Sequence, residues 1–235
     1  MKHKIIALCL CLITTGLCQA QYFGSSEWAS DIRDYTNMSM FIQTNTINMQ
    51  QMQKAYSETD TKSQKKQTDL ANVKPVLFQP TGKRLFIEMV KAKAGTSEEQ
   101  KKGLQVYSQL LEAGLTQYEK VAREKKQNPA NLGLAVAFFM ETTYALSSGK
   151  HLEDQQILDM AAVINQSLAK NAQFQKTSNQ QRQLIYEAFV GPQLVNYMLY
   201  EQARQDKDAK TQEQMKQQGL AFYKSLMGTE FSMPQ

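Results

Sequence analysis

Cysteine and histidine are nearly absent from this sequence once its first 20 residues are set aside. All three cysteines fall within those residues, and His151 is the one histidine that follows them. Disulfides, thiol catalysis and zinc sites built from several Cys and His are therefore excluded beyond residue 20. A Gly-x-Ser-x-Gly elbow, a Walker loop, a dinucleotide fingerprint, a calcium loop and the Glu-x-x-His pairs of di-iron bundles are also missing. We expect no metal site and no cofactor.

The longest apolar run extends from Ile5 to Leu17, after a basic head and before Cys18-Gln19-Ala20. This pattern predicts a secretory signal peptide, residues 1–20, that is cleaved after Ala20. Lipid anchoring at Cys18 is the less favoured alternative, because Leu17 is too bulky for the small residue expected before a lipidated cysteine. We therefore predict a periplasmic or secreted protein with no transmembrane segment in the mature chain.

Charge of either sign is not concentrated anywhere in the predicted mature chain. Removal of Lys2 and Lys4 leaves 25 of the 27 basic residues against 22 acidic ones, a net charge of +3. Because this excess is small and spread out, we expect no binding to nucleic acid or to anionic lipid.

Residues 21–56 predict an N-terminal helical arm. Trp28, Ile32 and Tyr35 recur at helical spacing, and an irregular series of Met and aromatic residues follows them. Clustered methionines can form an adaptable binding surface, although packing of the arm on the main body is the interpretation that we favour. The candidate binding residues are Trp28, Met38, Phe41, Met49 and Met52.

Residues 57–77 predict a polar linker followed by an extended strap. The segment from Ser57 to Ala71 lacks aromatic residues and apolar periodicity, which is typical of a linker. Pro75 and Pro80 hold the next residues extended. We expect this strap to pack on the helical body through Val76, Leu77 and Phe78.

Residues 78–228 predict one all-α domain, an irregular bundle of about six helices. Apolar residues recur at spacings of three and four, and no segment alternates with period two. Two long helices are the most strongly patterned, one beginning at a Thr96–Glu99 capping box and the other ending at Gly149. We place the turn between them at Asn128-Pro129, as the stop of one helix and the cap of the next, and interpret the pair as the core hairpin.

Two later features complete the predicted domain. Gly191-Pro192 lies inside a helix that a Ser178–Gln181 capping box opens, and it predicts a kink or two shorter helices. Residues 229–235 predict a flexible tail.

Three glutamates are the remaining candidates for catalysis. Glu141 follows an apolar run, and Glu119 and Glu187 each follow a tyrosine. A half-buried glutamate can have a raised pKa and act as a general acid, as in wall-cleaving glycosidases. The interpretation that we favour is structural: these carboxylates pair with Lys or Arg, or accept a Tyr hydroxyl, at the edge of the core. His151, just past a helix end, is expected to be solvated.

Short groups of residues spread through the body form a further pattern. They are Phe78-Gln79-Pro80-Thr81 before Arg84, Tyr107 to Leu111 leading to Tyr118-Glu119, Asn131, Ala135, Phe139, Tyr144, Gln183 with Tyr186-Glu187, and Gly228. In these residues the chain resembles, over about residues 78–228, a family of bacterial exported helical proteins of unknown function. The family pattern has Asp-Val-Ala after the asparagine, where this chain has Leu132-Gly133-Leu134, so an acidic group is missing there. The resemblance implies an exported α-helical domain and no known activity.

These observations favour a non-enzymatic helical module of the bacterial envelope that binds another protein. Two alternatives stay open: a carboxylate-based hydrolase of cell-wall glycans, and a small-ligand carrier with an apolar pocket inside the bundle. The sequence leaves the oligomeric state open.

Overall fold

Six α-helices form most of the part of the chain that the computed structural model describes, residues 73–92, 98–172 and 174–227. A 3₁₀ helix, Phe174–Lys176, precedes the fifth. Within those ranges the only strand-like feature is an isolated antiparallel bridge between Leu77 and Asn131, so the predicted all-α class is confirmed. The helices are α1 (Leu85–Ala92), α2 (Glu98–Glu124), α3 (Leu132–Ser148), α4 (Asp154–Lys170), α5 (Asn179–Gln205) and α6 (Ala209–Met227).

Helices α3 and α5 form the centre of the bundle. Helix α3 packs against α4, α5 and α6, and α5 also packs against α1 and α2. Phe139 of α3 meets Phe189 of α5 edge-on at 5.0 Å between ring centroids and stacks on Tyr223 of α6 at 5.5 Å. Both central helices therefore bury side chains around most of their circumference, as broadly apolar helices do.

The predicted core hairpin of α2 and α3 is wrong as a packing unit. Helix α2 packs mainly on α5 and α1, and it meets α3 at minor contacts such as Tyr118 with Phe138, whose rings are 5.1 Å apart. Proximity in sequence favoured the hairpin, but α5 packs against both of these helices, which have only minor contacts with each other.

The helix ends confirm most of the predicted capping residues and correct one of them. Gly149 ends α3 with a φ of 70°, and Ser178 and Gln181 form the predicted capping box of α5. The cap of α3, however, is Asn131, whose side chain accepts a hydrogen bond from the Leu134 amide at 3.2 Å. Asn128 instead accepts one from Ala130 at 2.9 Å in the preceding turn.

Gly191-Pro192 does not divide α5, which runs unbroken from Asn179 to Gln205. Gly191 lies against α2, and a Cβ there would be 3.0 Å from a Leu111 methyl group. Burial on several sides thus holds the helix together across a residue that cannot donate a backbone hydrogen bond.

The predicted strap packs on the helical body, but through two of the three apolar residues that were expected to make the contact. The Phe78 amide donates to Ala130 at 3.2 Å, and Val76 accepts from the Leu132 amide at 2.9 Å. The side chains of Val76 and Phe78 are buried, whereas Leu77 is 40% exposed. Because neighbouring side chains of an extended segment point in opposite directions, Leu77 cannot join the other two.

Several predicted features lie outside the described residues. They are the signal peptide with Cys18, the arm with Trp28, Met38, Phe41, Met49 and Met52, the linker to residue 72, the capping pair begun by Thr96, and the tail. Within the described ranges, no helix has the length and apolar character needed to cross a membrane.

Candidate functional site

A ladder of polar side chains on α5 holds the segment that leads into α1. Asn179, Gln183 and Glu187 recur every four residues and so lie on one face of the helix. Asn179 both accepts from the Gln79 amide at 2.6 Å and donates to its carbonyl. Gln183 accepts from the Thr81 amide at 2.8 Å. The ladder therefore satisfies backbone groups of a segment that has no helix or strand partners of its own.

Glu187 is the buried end of this ladder and takes the place of a cap on α1. Its carboxyl group accepts hydrogen bonds from the Phe86 amide and from the Gln183 side chain, both at 2.7 Å. Burial raises its pKa, against the opposing effect of these two donors. The Phe86 amide is in the first turn of α1, where amides lack helical partners and the helix dipole favours a negative group.

Arg84 connects the start of α1 to α2 through two carboxylates. Its guanidinium lies 2.6 Å from Glu119 and 3.1 Å from Glu112. Glu119 also accepts a hydrogen bond from the Tyr186 hydroxyl at 3.1 Å and lies 3.5 Å from Arg123. Burial opposes ionisation of Glu119, but the hydrogen bond and charge of Arg84 outweigh it, so the pKa of Glu119 is lowered.

Glu141 belongs to a separate row of groups that reaches the surface. Its carboxyl oxygen is 2.7 Å from Nδ1 of His151, and Nε2 of that ring is 3.0 Å from the Tyr197 hydroxyl. The Glu141 side chain is 8% exposed and that of His151 58%. Burial raises the pKa of Glu141, and the contact with His151 opposes the rise. His151 is exposed, as expected, but it is not merely solvated, because the turn at Gly149 brings the ring back beside Glu141 of α3.

The three candidate carboxylates thus do not meet in one open cleft. Glu119 and Glu187 belong to the cluster around the start of α1, where an Arg, a Tyr, a Gln and a backbone amide occupy them. Glu141 shares none of those partners. A row of hydroxyl, imidazole and carboxylate could transfer a proton, but burial raises the pKa of Tyr197, so its hydroxyl is a weaker acid than an ordinary tyrosine. In the described part of the chain no three His, Cys, Asp or Glu residues could share a metal ion.

A groove of about 440 Å³ between α1 and α2 is the other feature that could receive a ligand. Six of its eight lining residues are polar or charged, with Lys91 and Lys101 among them, and the two apolar ones, Ile87 and Leu104, are buried. The buried hydroxyl of Ser108 belongs to the lining and has no hydrogen-bond partner among the described residues.

A family model described as a family of unknown function (DUF6683) matches residues 1–229. The chain belongs to this family. No curated protein and no solved structure matches the chain. The family therefore supplies no activity, and its match extends over the predicted arm as well as over residues 78–228, where the sequence resemblance was identified.

Several of the residues that carry the sequence resemblance come together in the structure. The rings of Phe78 and Tyr186 are 5.0 Å apart, Thr81 binds Gln183, and Arg84 binds Glu119. These residues fasten the strap and α1 to α2 and α5, which is a structural role. Leu132, at the position where the sequence resemblance implies an acidic group, is buried.

Sequence reasoning missed the roles of Arg84, Asn179, Gln183 and Tyr197 in these clusters. The available signal was a set of polar residues at intervals of four, Asn179, Gln183 and Glu187, of which only Glu187 lies within a run of apolar and aromatic residues. Such a stripe on an otherwise buried helix indicates partners from elsewhere in the chain, but it does not say which segment supplies them.

Proposed function

We propose that this protein is a non-enzymatic, exported helical module of the bacterial envelope that binds another protein. The observation that carries the proposal is that the described carboxylates with perturbed pKa values are engaged in holding the fold. Glu119 and Glu187 fix the start of α1, and Glu141 positions His151. A helical body with its polar groups so engaged serves as a rigid support, and the Met-bearing arm supplies adaptable contacts to the partner.

Crosslinking of the full chain in intact cells, followed by identification of the captured proteins, tests this function. Replacing Met38, Phe41, Met49 and Met52 together by alanine should abolish capture of a partner that the wild type recovers. The matched control replaces four neighbouring glutamines by alanine and should recover it: Gln43, Gln50, Gln51 and Gln53. Equal recovery by both variants would refute the role of the arm.

A carboxylate-based glycan hydrolase is the second candidate, and the row of Glu141, His151 and Tyr197 is the observation that favours it. A glutamate with a raised pKa can act as a general acid, although retaining and inverting enzymes both need a second carboxylate across the scissile bond. The hypothesis predicts that Glu141→Gln or Glu187→Gln abolishes clearing of a cell-wall suspension while the fold is retained. Equal clearing by all three proteins, or clearing by none, excludes it.

A small-ligand carrier is the third candidate, since the groove volume falls within the roughly 300–1,000 Å³ typical of ligand pockets. Mass spectrometry of protein purified without denaturation should then show a retained lipid or metabolite. A spectrum containing the protein mass alone contradicts it.

A further inference from the structure

The row of Glu141, His151 and Tyr197 fastens the turn between α3 and α4 to the two central helices. His151 lies in the middle of this turn, residues 149–153. Its Nδ1 is 2.7 Å from a carboxyl oxygen of Glu141 on α3, and its Nε2 is 3.0 Å from the Tyr197 hydroxyl on α5. The two rings also meet edge-on, 5.8 Å apart at their centroids. Among the hydrogen bonds and ion pairs of the described residues, the one to Tyr197 alone joins the turn to α5.

Glu141 depends on this ring for compensation of its charge. The Glu141 side chain is 8% exposed, and among the described residues the imidazole is its one hydrogen-bond partner. Burial raises the pKa of Glu141, and the hydrogen bond and charge of His151 oppose the rise. A buried carboxylate without a counter-charge costs free energy unless it gains water. The charge of the imidazole therefore decides whether the ionised carboxylate is tolerated beside it.

Loss of one proton from the row leaves its hydrogen bonds in place and changes its charge. With a protonated ring, Nδ1–H donates to the Glu141 carboxylate and Nε2–H donates to the Tyr197 oxygen, so the row is neutral overall. When Nε2 releases its proton to water, Nδ1–H still donates to the carboxylate, and the Tyr197 hydroxyl turns to donate to Nε2. The row then carries one negative charge, on the most buried of its three groups. The His151 side chain is 58% exposed, so solvent protons reach the ring.

The other charged groups around the row occur with opposite signs. They are Lys150 and Glu153 in the turn, Asp154 at the start of α4, which pairs with Lys125, and Glu201 and Arg204 on α5, which lie 2.7 Å apart. Aspartate, glutamate, lysine and arginine in water keep their charges between about pH 5 and pH 8, whereas imidazole changes its charge in that range. Burial raises the pKa of Tyr197 further above that range. The titration of the row therefore falls on Glu141 and His151.

We propose that this row is a proton-operated latch on the turn between α3 and α4. The protonated ring holds the turn against α5, because it neutralises the carboxylate that it contacts. Loss of the proton releases the ring, because the negative carboxylate is then better hydrated with the ring moved aside. The stability that the row contributes is thus present at low pH and lost as the pH rises, the direction that belongs to a carboxyl group with a raised pKa. The latch belongs to a single chain and does not depend on the proposed partner binding.

Hydrogen exchange of the full chain, as the cell processes it, tests the latch. Mass spectrometry should follow the amides of residues 149–153 at several values between about pH 5 and pH 8, with labelling times scaled to the chemical exchange rate. Protection of the turn should fall severalfold as the pH rises across this range. The turn between α5 and α6, residues 206–208, contains carboxylates but no histidine, so its protection should stay constant.

Three glutamine substitutions separate the charges of the row from its hydrogen bonds. Glu141→Gln should abolish the fall and keep the turn protected at the high end of the pH range, because no buried charge then requires water. His151→Gln should move the fall to lower pH, because the carboxylate then lacks a counter-charge as soon as it ionises. Lys150→Gln is the matched control: it removes an exposed charge next to the ring and should keep the wild-type fall.

Nuclear magnetic resonance of the imidazole gives an independent measurement. Beyond residue 20 the chain has no other histidine, and His151→Gln identifies the signal by its loss. The pH at which the ring titrates should coincide with the midpoint of the fall in protection. Wild-type protection that stays constant with pH, a fall that Glu141→Gln retains, or two clearly different midpoints would overturn the latch.

Discussion

At the scale of single residues, Glu119 and Glu187 face opposite electrostatic conditions within one cluster. Glu119 is half-buried beside Arg84, which lowers its pKa, whereas Glu187 is fully buried and has a raised pKa. The folded protein therefore binds a proton more tightly than the unfolded chain at Glu187 and more weakly at Glu119.

This difference predicts opposite pH dependences for two conservative substitutions. The stability linked to Glu187 is present below the ordinary glutamate pKa of about 4.3 and is lost as the pH rises through its raised value. The stability linked to Glu119 is present above about 4.3 and is lost as the pH falls through its lowered value. Relative to wild type, Glu187→Gln should gain free energy of unfolding as the pH rises, and Glu119→Gln should lose it.

Urea unfolding of the three proteins between about pH 2.5 and pH 7 measures this effect, since the range extends to both sides of the ordinary glutamate pKa of about 4.3. Each variant serves as the control for the other, because both replace a carboxyl group by an amide. If the difference in free energy of unfolding between each variant and wild type stayed constant over the range, folding would shift the pKa of neither carboxyl group.

Two neighbouring tyrosines make a second prediction at the residue scale. The rings of Tyr118 and Tyr186 are 5.6 Å apart, but only the Tyr186 hydroxyl has a partner, Glu119; that of Tyr118 is buried without one in the described structure. Tyr186→Phe should cost about 1.5–3 kcal/mol, typical of a hydrogen bond to a charged group. Tyr118→Phe should be neutral or stabilising, because it removes an unsatisfied buried hydroxyl. Thermal and urea unfolding of both variants measure these changes. A larger loss of stability for Tyr118→Phe than for Tyr186→Phe would contradict the prediction.

At the scale of helices, the approach of α3 to α4 depends on a missing side chain. A Cβ at Gly133 would overlap the Ala161 carbonyl oxygen and the Asn165 side chain. Asn165 in turn accepts hydrogen bonds from the amides of Val76 at 2.9 Å and Gly133 at 3.2 Å. One close contact therefore joins the strap, α3 and α4.

Gly133→Ala should destabilise the protein by about 1–3 kcal/mol or more, because backbone and a hydrogen-bonded amide must move to admit the methyl group. Gly114→Ala is the matched control: it too lies in a helix, and its nearest neighbours, atoms of Leu194, would be 3.7 Å from the new Cβ. That substitution should be neutral or stabilise by up to about 1 kcal/mol, through better helix propensity. Equal unfolding midpoints for both variants would contradict the close approach.

At the scale of helices, the sequence could predict where the elements lie but not all of their partners. Helical spacing located all six helices, because each buries a stripe that local periodicity records. The cap of α3 was placed at Asn128, three residues early, because Asn128 and Asn131 are both good caps and only tertiary contacts with the strap favour the second. The ladder of Asn179, Gln183 and Glu187 binds a segment about 100 residues earlier in the chain. Periodicity within one helix cannot identify such a partner.

At the scale of the whole molecule, residues 73–86 act as a clasp across the bundle. Val76 and Phe78 belong to the hydrophobic core cluster, and the next residues bind α5 through its ladder. Arg84 then reaches α2, so the clasp connects four of the six helices before α1 begins.

Two shortened chains should separate the clasp from the arm. A chain that begins at Val73 keeps the core and the clasp, so it should fold and lose only a few degrees in Tm, corresponding to no more than about 1 kcal/mol. A chain that begins at Pro80 loses Val76 and Phe78 as well, each worth about 1.5–3 kcal/mol when fully buried, and leaves the Asn165 side chain without the Val76 amide. Circular dichroism melts should therefore show a cooperative transition for the first and a much lower or absent one for the second. Similar melts for both would mean that the clasp rests on the bundle without stabilising it, because the core would then be complete in α1 to α6 alone.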